Sequence, residues 1–303
     1  MAGWQWETAV AGAVAGLTTV VALHPLDIVR TRFQVSDGRN SRIPNYRSTA
    51  HALATITKTE GIRGLYAGLF PSVLGSSISW GLYFFFYGNA KARYERVVKR
   101  DLGPLHHLLA AAEAGSLVCV ITNPLWLVKT RLQLQPPAHG ARKPYAGLSD
   151  ALRSIVKEEG WRGLYKGLGP SLVLVSHGAL QFMAYEEGKK MALALRSRRR
   201  AESSNEEVSL ASADYALLGA GSKLFAGLLT YPYQVIRARI QQRPNVHGVA
   251  NYTGGWQAFK TTLSLWPKTK ATLFCDIFPL SVLAFTESCL HQHGDTTVVV
   301  EVH

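Results

Sequence analysis

Three cysteines in 303 residues (Cys119, Cys275 and Cys289) are too few and too widely spaced for a disulfide framework or a thiolate metal cage. Charge is scarce as well. Only 17% of the residues are charged against 47% hydrophobic, which is apolar for a soluble protein. Acids are scarcer than bases, 20 against 33, which leaves a net charge of +13. Such a balance suits anionic lipid headgroups or an anionic solute. It does not suit nucleic acid, because the bases form no single stripe on a soluble fold. No nucleophile constellation, metal cluster or phosphate-cradling glycine loop is present, so an enzyme, a metal site and a bound cofactor are not expected. Uniformly greasy runs are missing too. The apolar stretches 8–23, 72–90, 105–122, 171–188 and 214–230 hold Gly, Ser, Thr and single polar residues. Each is close to the ~20 residues that span a bilayer. Their mixed character is that of membrane helices lining a watery cavity.

What the chain does contain is one phrase three times: PLDIVRTRFQ at 25–34, PLWLVKTRLQ at 124–133 and PYQVIRARIQ at 232–241. The prolines are 99 and 108 residues apart. Repeats of this length are structural units, and three copies suggest a pseudo-threefold assembly. The copies stay in register beyond the phrase. Tyr46 and Tyr145 each precede a glutamate, Glu60 and Glu159, by fourteen positions. EGIRGLYAG at 60–68 and EGWRGLYKG at 159–167 follow, and then Pro71 and Pro170.

This spacing divides the chain into repeat one (1–100), repeat two with a charged linker (101–207), a partial repeat three (208–263) and a tail (264–303). The linker begins at 196 with RSRRRAESSNEE, which we read as mobile. Each repeat should open with a helix running through its proline, which bends it. Three bent helices can converge and close one end of a barrel. A polar loop, a short surface helix, the Glu-Gly turn and a second membrane helix then follow. Gly12 and Gly16 lie at the same offsets before their proline as Ala111 and Gly115, and small residues there let helices approach closely. The third copy has Gly219 and Lys223 at those offsets.

These motifs resemble the mitochondrial carrier family, whose signature is Pro-x-Asp/Glu-x-x-Lys/Arg-x-Lys/Arg followed by acidic-Gly-(x)4-aromatic-Lys/Arg-Gly. Repeat two departs from it at Trp126 and repeat one at Ala67. The stretches at 79–91, 111–135, 176–186 and 230–241 are similar to the folate/FAD-transporter branch, and the opening MAGWQWE to its plant, chloroplast-envelope members. The resemblance implies an all-α membrane protein, a three-repeat helical bundle transporting folate, or FAD, across an organelle membrane by alternating access. It implies a monomer whose partners are the small anionic substrate and membrane lipid. The chloroplast envelope is favoured, with the mitochondrial inner membrane as the alternative. Residues 9–23 lack the basic flank of a signal peptide, and no cleavable presequence precedes them to choose the organelle. The resemblance stops near residue 263. Fourteen positions after Tyr252 the sequence reads Trp266-Pro267 instead of Glu-Gly, and the apolar stretch 271–285 is short for a span. We read the tail as replacing the sixth helix, which makes a non-transporting isoform the competing functional class.

In the family, the acid of one signature pairs with the base of the next to close the matrix end. Carried over, Asp27 pairs with Lys129, while Trp126 and Gln234 stand where the other two acids would be. That leaves Arg237 opposite the face of Trp126, and Arg30 opposite Gln234 as a hydrogen-bond acceptor. Gln34, Gln133 and Gln241 match the family's braces beneath these pairs. The opposite gate keeps its aromatic-acid-x-x-base pattern at Tyr185, Glu186 and Lys189, whereas Tyr87-Gly88-x-x-Lys91 lacks the acid. An ionisable side chain in mid-membrane is a functional candidate, which singles out Glu113 and Lys223 for the substrate, with a purely structural pair as the alternative. Trp80, Tyr83, His177 and Gln181 can stack on or hydrogen-bond a flat heterocycle, with ordinary packing as the alternative for each.

Overall fold

A computed structural model describes residues 2–36, 44, 46, 48–98, 103–135, 144–200, 212–244 and 256–260. The tail read as replacing the sixth helix lies outside the described residues, as does Tyr252. Every regular element among them is helical: α1 (Ala2–Val35), α2 (Thr49–Leu65), α3 (Leu69–Val98), α4 (Pro104–Gln133), α5 (Leu148–Glu159), a short 3-10 helix (Trp161–Tyr165), α6 (Leu168–Leu174), α7 (Ser176–Arg200) and α8 (Ser212–Ile240). Helices α3 and α4 are each long and apolar enough to cross a bilayer. Of the charged stretch expected from residue 196 as a linker, residues 196–200 continue α7, which runs through Arg200, and residues 201–207 lie outside the described residues. Arg196 is held there by Asp214 at 2.5 Å, and arginine is a good helix former.

Gly16–Ser176 and Pro232–Thr272 belong to one compact unit, and His177–Tyr231 to another. The first unit contains all three signature phrases. Pro25, Pro124 and Pro232 each sit inside a helix that continues to the phrase's end.

The repeats build their cores from equivalent positions. In repeat one, Ile28, Val29, Phe33, Tyr46, Ala52 and Ile56 pack together. In repeat two the set is Leu127, Val128, Tyr145, Ala151, Ile155 and Leu164. The signature helix presents consecutive apolar residues to the short surface helix, and the loop tyrosine fills the gap between them. Complete burial of Ile56 and Ile155 contributes about 1.5–3 kcal/mol each. The third copy keeps the pattern as far as it is described, with Ile236 packed on Ala258.

The Glu-Gly turns explain their glycines. Gly61 has φ 70° and ψ −174°, and Gly160 has φ 70° and ψ −177°, a region open essentially to glycine alone. At that point the chain leaves the surface helix and turns toward the next spanning segment. A second glycine in each of the first two repeats brings the turn against the following signature helix. A methyl group on Gly68 would meet the Lys129 carbonyl oxygen at 3.2 Å, and one on Gly167 the Gln241 side chain at 3.0 Å. Repeat one therefore abuts repeat two, and repeat two abuts repeat three.

Candidate functional site

The ends of the three signature helices are tied into a closed ring. Arg32 Nε donates to the Gln133 carbonyl oxygen at 3.1 Å. Arg131 Nε donates to that of Gln241 at 3.1 Å, and Arg239 Nε to that of Gln34 at 3.2 Å. Each bond spans one repeat to the next, and the third returns to the first. These arginines are the second bases of the three phrases, and the sequence reading had not singled them out. The available signal was the pairing of a fixed arginine with a fixed glutamate in two repeats. Arg32 grips Glu60 at 2.5 and 2.7 Å, and Arg131 grips Glu159 through both of its terminal nitrogens. The forked guanidinium fits a carboxylate while its Nε remains free for a carbonyl.

Burial acts to raise the Glu159 pKa, but the hydrogen bond and charge of Arg131, with help from Lys166 at 2.6 Å, outweigh it. The carboxyl is held below the ordinary glutamate range. Burial pushes the Tyr145 hydroxyl up, and the Arg243 guanidinium lies 4.1 Å from the centre of that ring.

Inside the ring, Asp27 Oδ2 accepts from Lys129 Nζ at 2.8 Å and from Gln133 Nε2 at 2.8 Å. Gln133 Oε1 accepts from Thr31 Oγ1 at 2.9 Å, which orients its amide toward Asp27. Arg30 donates to Gln234 Oε1. Gln241 Oε1 accepts from Thr130 at 3.0 Å, the same arrangement one repeat on, whereas Gln34 contributes its backbone carbonyl to Arg239. Lys129, three residues on in the same helix, lies 5.1 Å from the Trp126 ring centre, a cation that the family pattern does not assign to this ring. Just before the prolines, buried His24 bonds the Ala67 carbonyl at 3.1 Å and Asn123 bonds that of Leu164 at 2.7 Å. Each locks its signature helix to the Glu-Gly turn of its own repeat.

Glu113 takes its charge partner from Arg93 on α3, which reaches both carboxylate oxygens, and Tyr94 adds a bond at 3.3 Å. The partner is thus on α3, whereas the expected structural alternative for Glu113 is a pair with Lys223. Arg93 was legible only from the hairpin, since both residues lie about ten positions from the turn at Gly103. Trp80 is exposed and Tyr83 half-buried on α3, their rings 6.1 Å apart and edge-on. In the second unit His177 Nδ1 lies 2.9 Å from Thr230 Oγ1, and Gln181 and Lys223 are half-buried. Tyr185, Glu186 and Lys189 are half-buried on α7, and the ion pair formed beside them is Lys190–Glu187 at 2.8 Å.

A mitochondrial carrier protein model matches residues 3–97 and 100–194, the first two repeats. The chain belongs to the mitochondrial carrier family. It is 61% identical over 264 residues to Folate transporter 1, chloroplastic, of Arabidopsis thaliana, covering 86% of this chain and 84% of that protein. It is 39% identical to Nicotinamide adenine dinucleotide transporter 1, chloroplastic, of the same plant, covering 81% and 76%. It is 32% identical to the mitochondrial pyrimidine nucleotide transporter RIM2 of Saccharomyces cerevisiae, covering 85% and 76%. The carrier is thus an all-α member of a family of multi-pass organelle membrane transporters. Its ring of arginine–carbonyl bonds is the structural expression of the threefold sequence repeat.

Proposed function

We propose that this carrier moves folate, or a closely related reduced folate, across a chloroplast envelope membrane by alternating access, as a monomer. The observation that carries the reading is the Asp27–Lys129 pair, which joins two repeats at one end of their helices. Together with the Arg30–Gln234 bond it forms the matrix-end gate, braced by Gln133 and Gln241. Trp126 replaces one gate acid and Gln234 another, so closure rests on one ion pair rather than three. The energetic cost of opening is correspondingly low, and Gln34 and Arg237 complete this layer. Tyr185, Glu186 and Lys189 on α7 keep the family's pattern for the opposite gate. Trp80, Tyr83 and Glu113 in the one unit, and separately His177, Gln181 and Lys223 in the other, are each proposed as substrate-contact residues. The 61% identity to a protein named as a folate transporter supports the substrate, and the chloroplast names of two relatives support the location.

Folate and FAD are both flat, large and anionic, and relatives named for dinucleotide and nucleotide transport make FAD the informative competitor. The experiment is uptake of labelled folate into liposomes holding the purified chain, with and without excess FAD. Folate uptake above empty liposomes that FAD leaves unchanged supports the proposal. FAD-sensitive uptake with faster FAD transport moves the assignment to the flavin. Transport of neither compound, but of folate by a chimera in which residues 264–303 are replaced by a carrier-type Glu-Gly turn and spanning helix, assigns this chain to the non-transporting class.

A further inference from the structure

Tyr87 stands where the opposite-gate pattern on α3 places its aromatic, but the acid that should follow is Gly88. With no carboxylate beside it to brace, the Tyr87 hydroxyl goes elsewhere: it lies 3.0 Å from His107 Nδ1 on α4. The Tyr87 ring is parallel to that of Tyr83, with centres 6.0 Å apart and planes 10° from each other. Trp80 meets Tyr83 edge-on at 6.1 Å. Positions 80, 83 and 87 share one stripe of the helix, so these rings form a column that ends on His107.

Such a stripe can face lipid or an aqueous path. One observation favours the aqueous path. The column carries two phenol hydroxyls and an imidazole, which hydrocarbon would penalise. Tyr83 and Tyr87 are half-buried, so part of each ring remains accessible. Fixed, accessible aromatic faces are what a planar heterocycle requires, because stacking tolerates variation in the ring but not in its orientation.

We propose that Tyr83 and Tyr87 form a stacking track for the flat ring of the substrate, and that His107 is the positioning residue that holds it. The proposal rests on the carrier reading above and deepens it. The bond from His107 fixes the rotation of the Tyr87 ring, and the parallel stack passes that orientation to Tyr83. Loss of the bond leaves both rings in place but free to tilt, so recognition of the heterocycle weakens while the rest of the substrate is held as before.

The test uses the full chain in liposomes, comparing wild type with His107→Ala, His107→Asn, Tyr87→Phe and the His107→Ala/Tyr87→Phe double variant. Unfolding midpoints in detergent serve as the check on folding. Loss of one hydrogen bond should raise the KM for folate roughly three- to tenfold, with the maximal rate little changed. The double variant should be no worse than either single one, and His107→Asn, which keeps an acceptor, should recover most of the loss. Competition by p-aminobenzoylglutamate, which lacks the pterin ring, should be the same in every variant. An unchanged KM overturns the proposal. So does an equal loss for the ring-less competitor, which marks a structural role. If wild type transports neither folate nor FAD, the carrier reading fails, and free pterin decides the inference by thermal shift. A shift in wild type that His107→Ala abolishes supports the track, and no shift in wild type refutes it.

Discussion

Asp27 and Lys129 meet at 2.8 Å although they belong to different repeats, and Gln133 donates to the same carboxylate oxygen at 2.8 Å. One acid thus holds a base and its brace from the neighbouring signature helix. Removing the acid leaves a largely buried lysine without its carboxylate. Because Asp27 itself is about one-third exposed, Asp27→Asn should cost about 1–2 kcal/mol rather than the larger penalty of a fully buried pair. Thermal unfolding in detergent measures it. A double variant exchanging the two charges should recover part of the loss, and full stability in Asp27→Asn alone would contradict the pairing.

Trp126 occupies an acid's place in its phrase, two residues after Pro124 as Asp27 is two after Pro25. Trp126→Asp should add a second interrepeat ion pair with Arg237, raise the unfolding midpoint by a few degrees and slow uptake several-fold, because the closed state deepens while the open one gains nothing. Faster uptake in this variant would mean that the tryptophan does not lower the barrier.

The Glu159 pKa is held below the ordinary glutamate value, since Arg131 and Lys166 outweigh burial. A carboxyl with a depressed folded-state pKa stabilises fully above the unfolded value, roughly 4.3. That contribution fades as pH falls through the folded value. Unfolding midpoints should therefore be insensitive to Glu159 ionisation from neutral pH down to about 5, then fall on acidification. Glu159→Gln should lower the neutral-pH plateau and flatten the acid limb. An acid limb identical to that of wild type would remove Glu159 from the account.

Gly160 has φ 70° with ψ −177°, yet a side chain there would meet no atom within 4 Å. Gly160→Ala should consequently destabilise by about 1–3 kcal/mol through backbone strain alone. Gly169, which is equally open but has no positive φ, should tolerate alanine. Equal midpoints for the two variants would argue that the turn relaxes.

The three phrases, their prolines, the loop tyrosines and the Glu-Gly turns were legible in the chain because each recurs at a fixed offset, and a recurring offset means a recurring local structure. The same regularity carried the cores: Ile56 and Ile155 are equivalent in sequence and both fully buried. The pairing of Asp27 with Lys129 followed from the family pattern. Other contacts had no such signal. Arg93 reaches Glu113 only because the α3–α4 hairpin brings them level, and Lys129 lies over Trp126 because it stands three residues on in the same helix. Arg32, Arg131 and Arg239 close the ring through backbone carbonyls, which every residue possesses and no side-chain pattern can mark.

By itself, then, the sequence determined the repeat, the signature helices and the family, since these depend on local spacing and on which residues are apolar, whereas the stretch 171–188, expected as one span, is divided between α6 and α7. The tertiary structure decided which charge meets which carboxylate or ring, and which carbonyls complete the closed end. Those choices depend on distances between segments about a hundred residues apart, which packing sets and spacing along the chain does not contain.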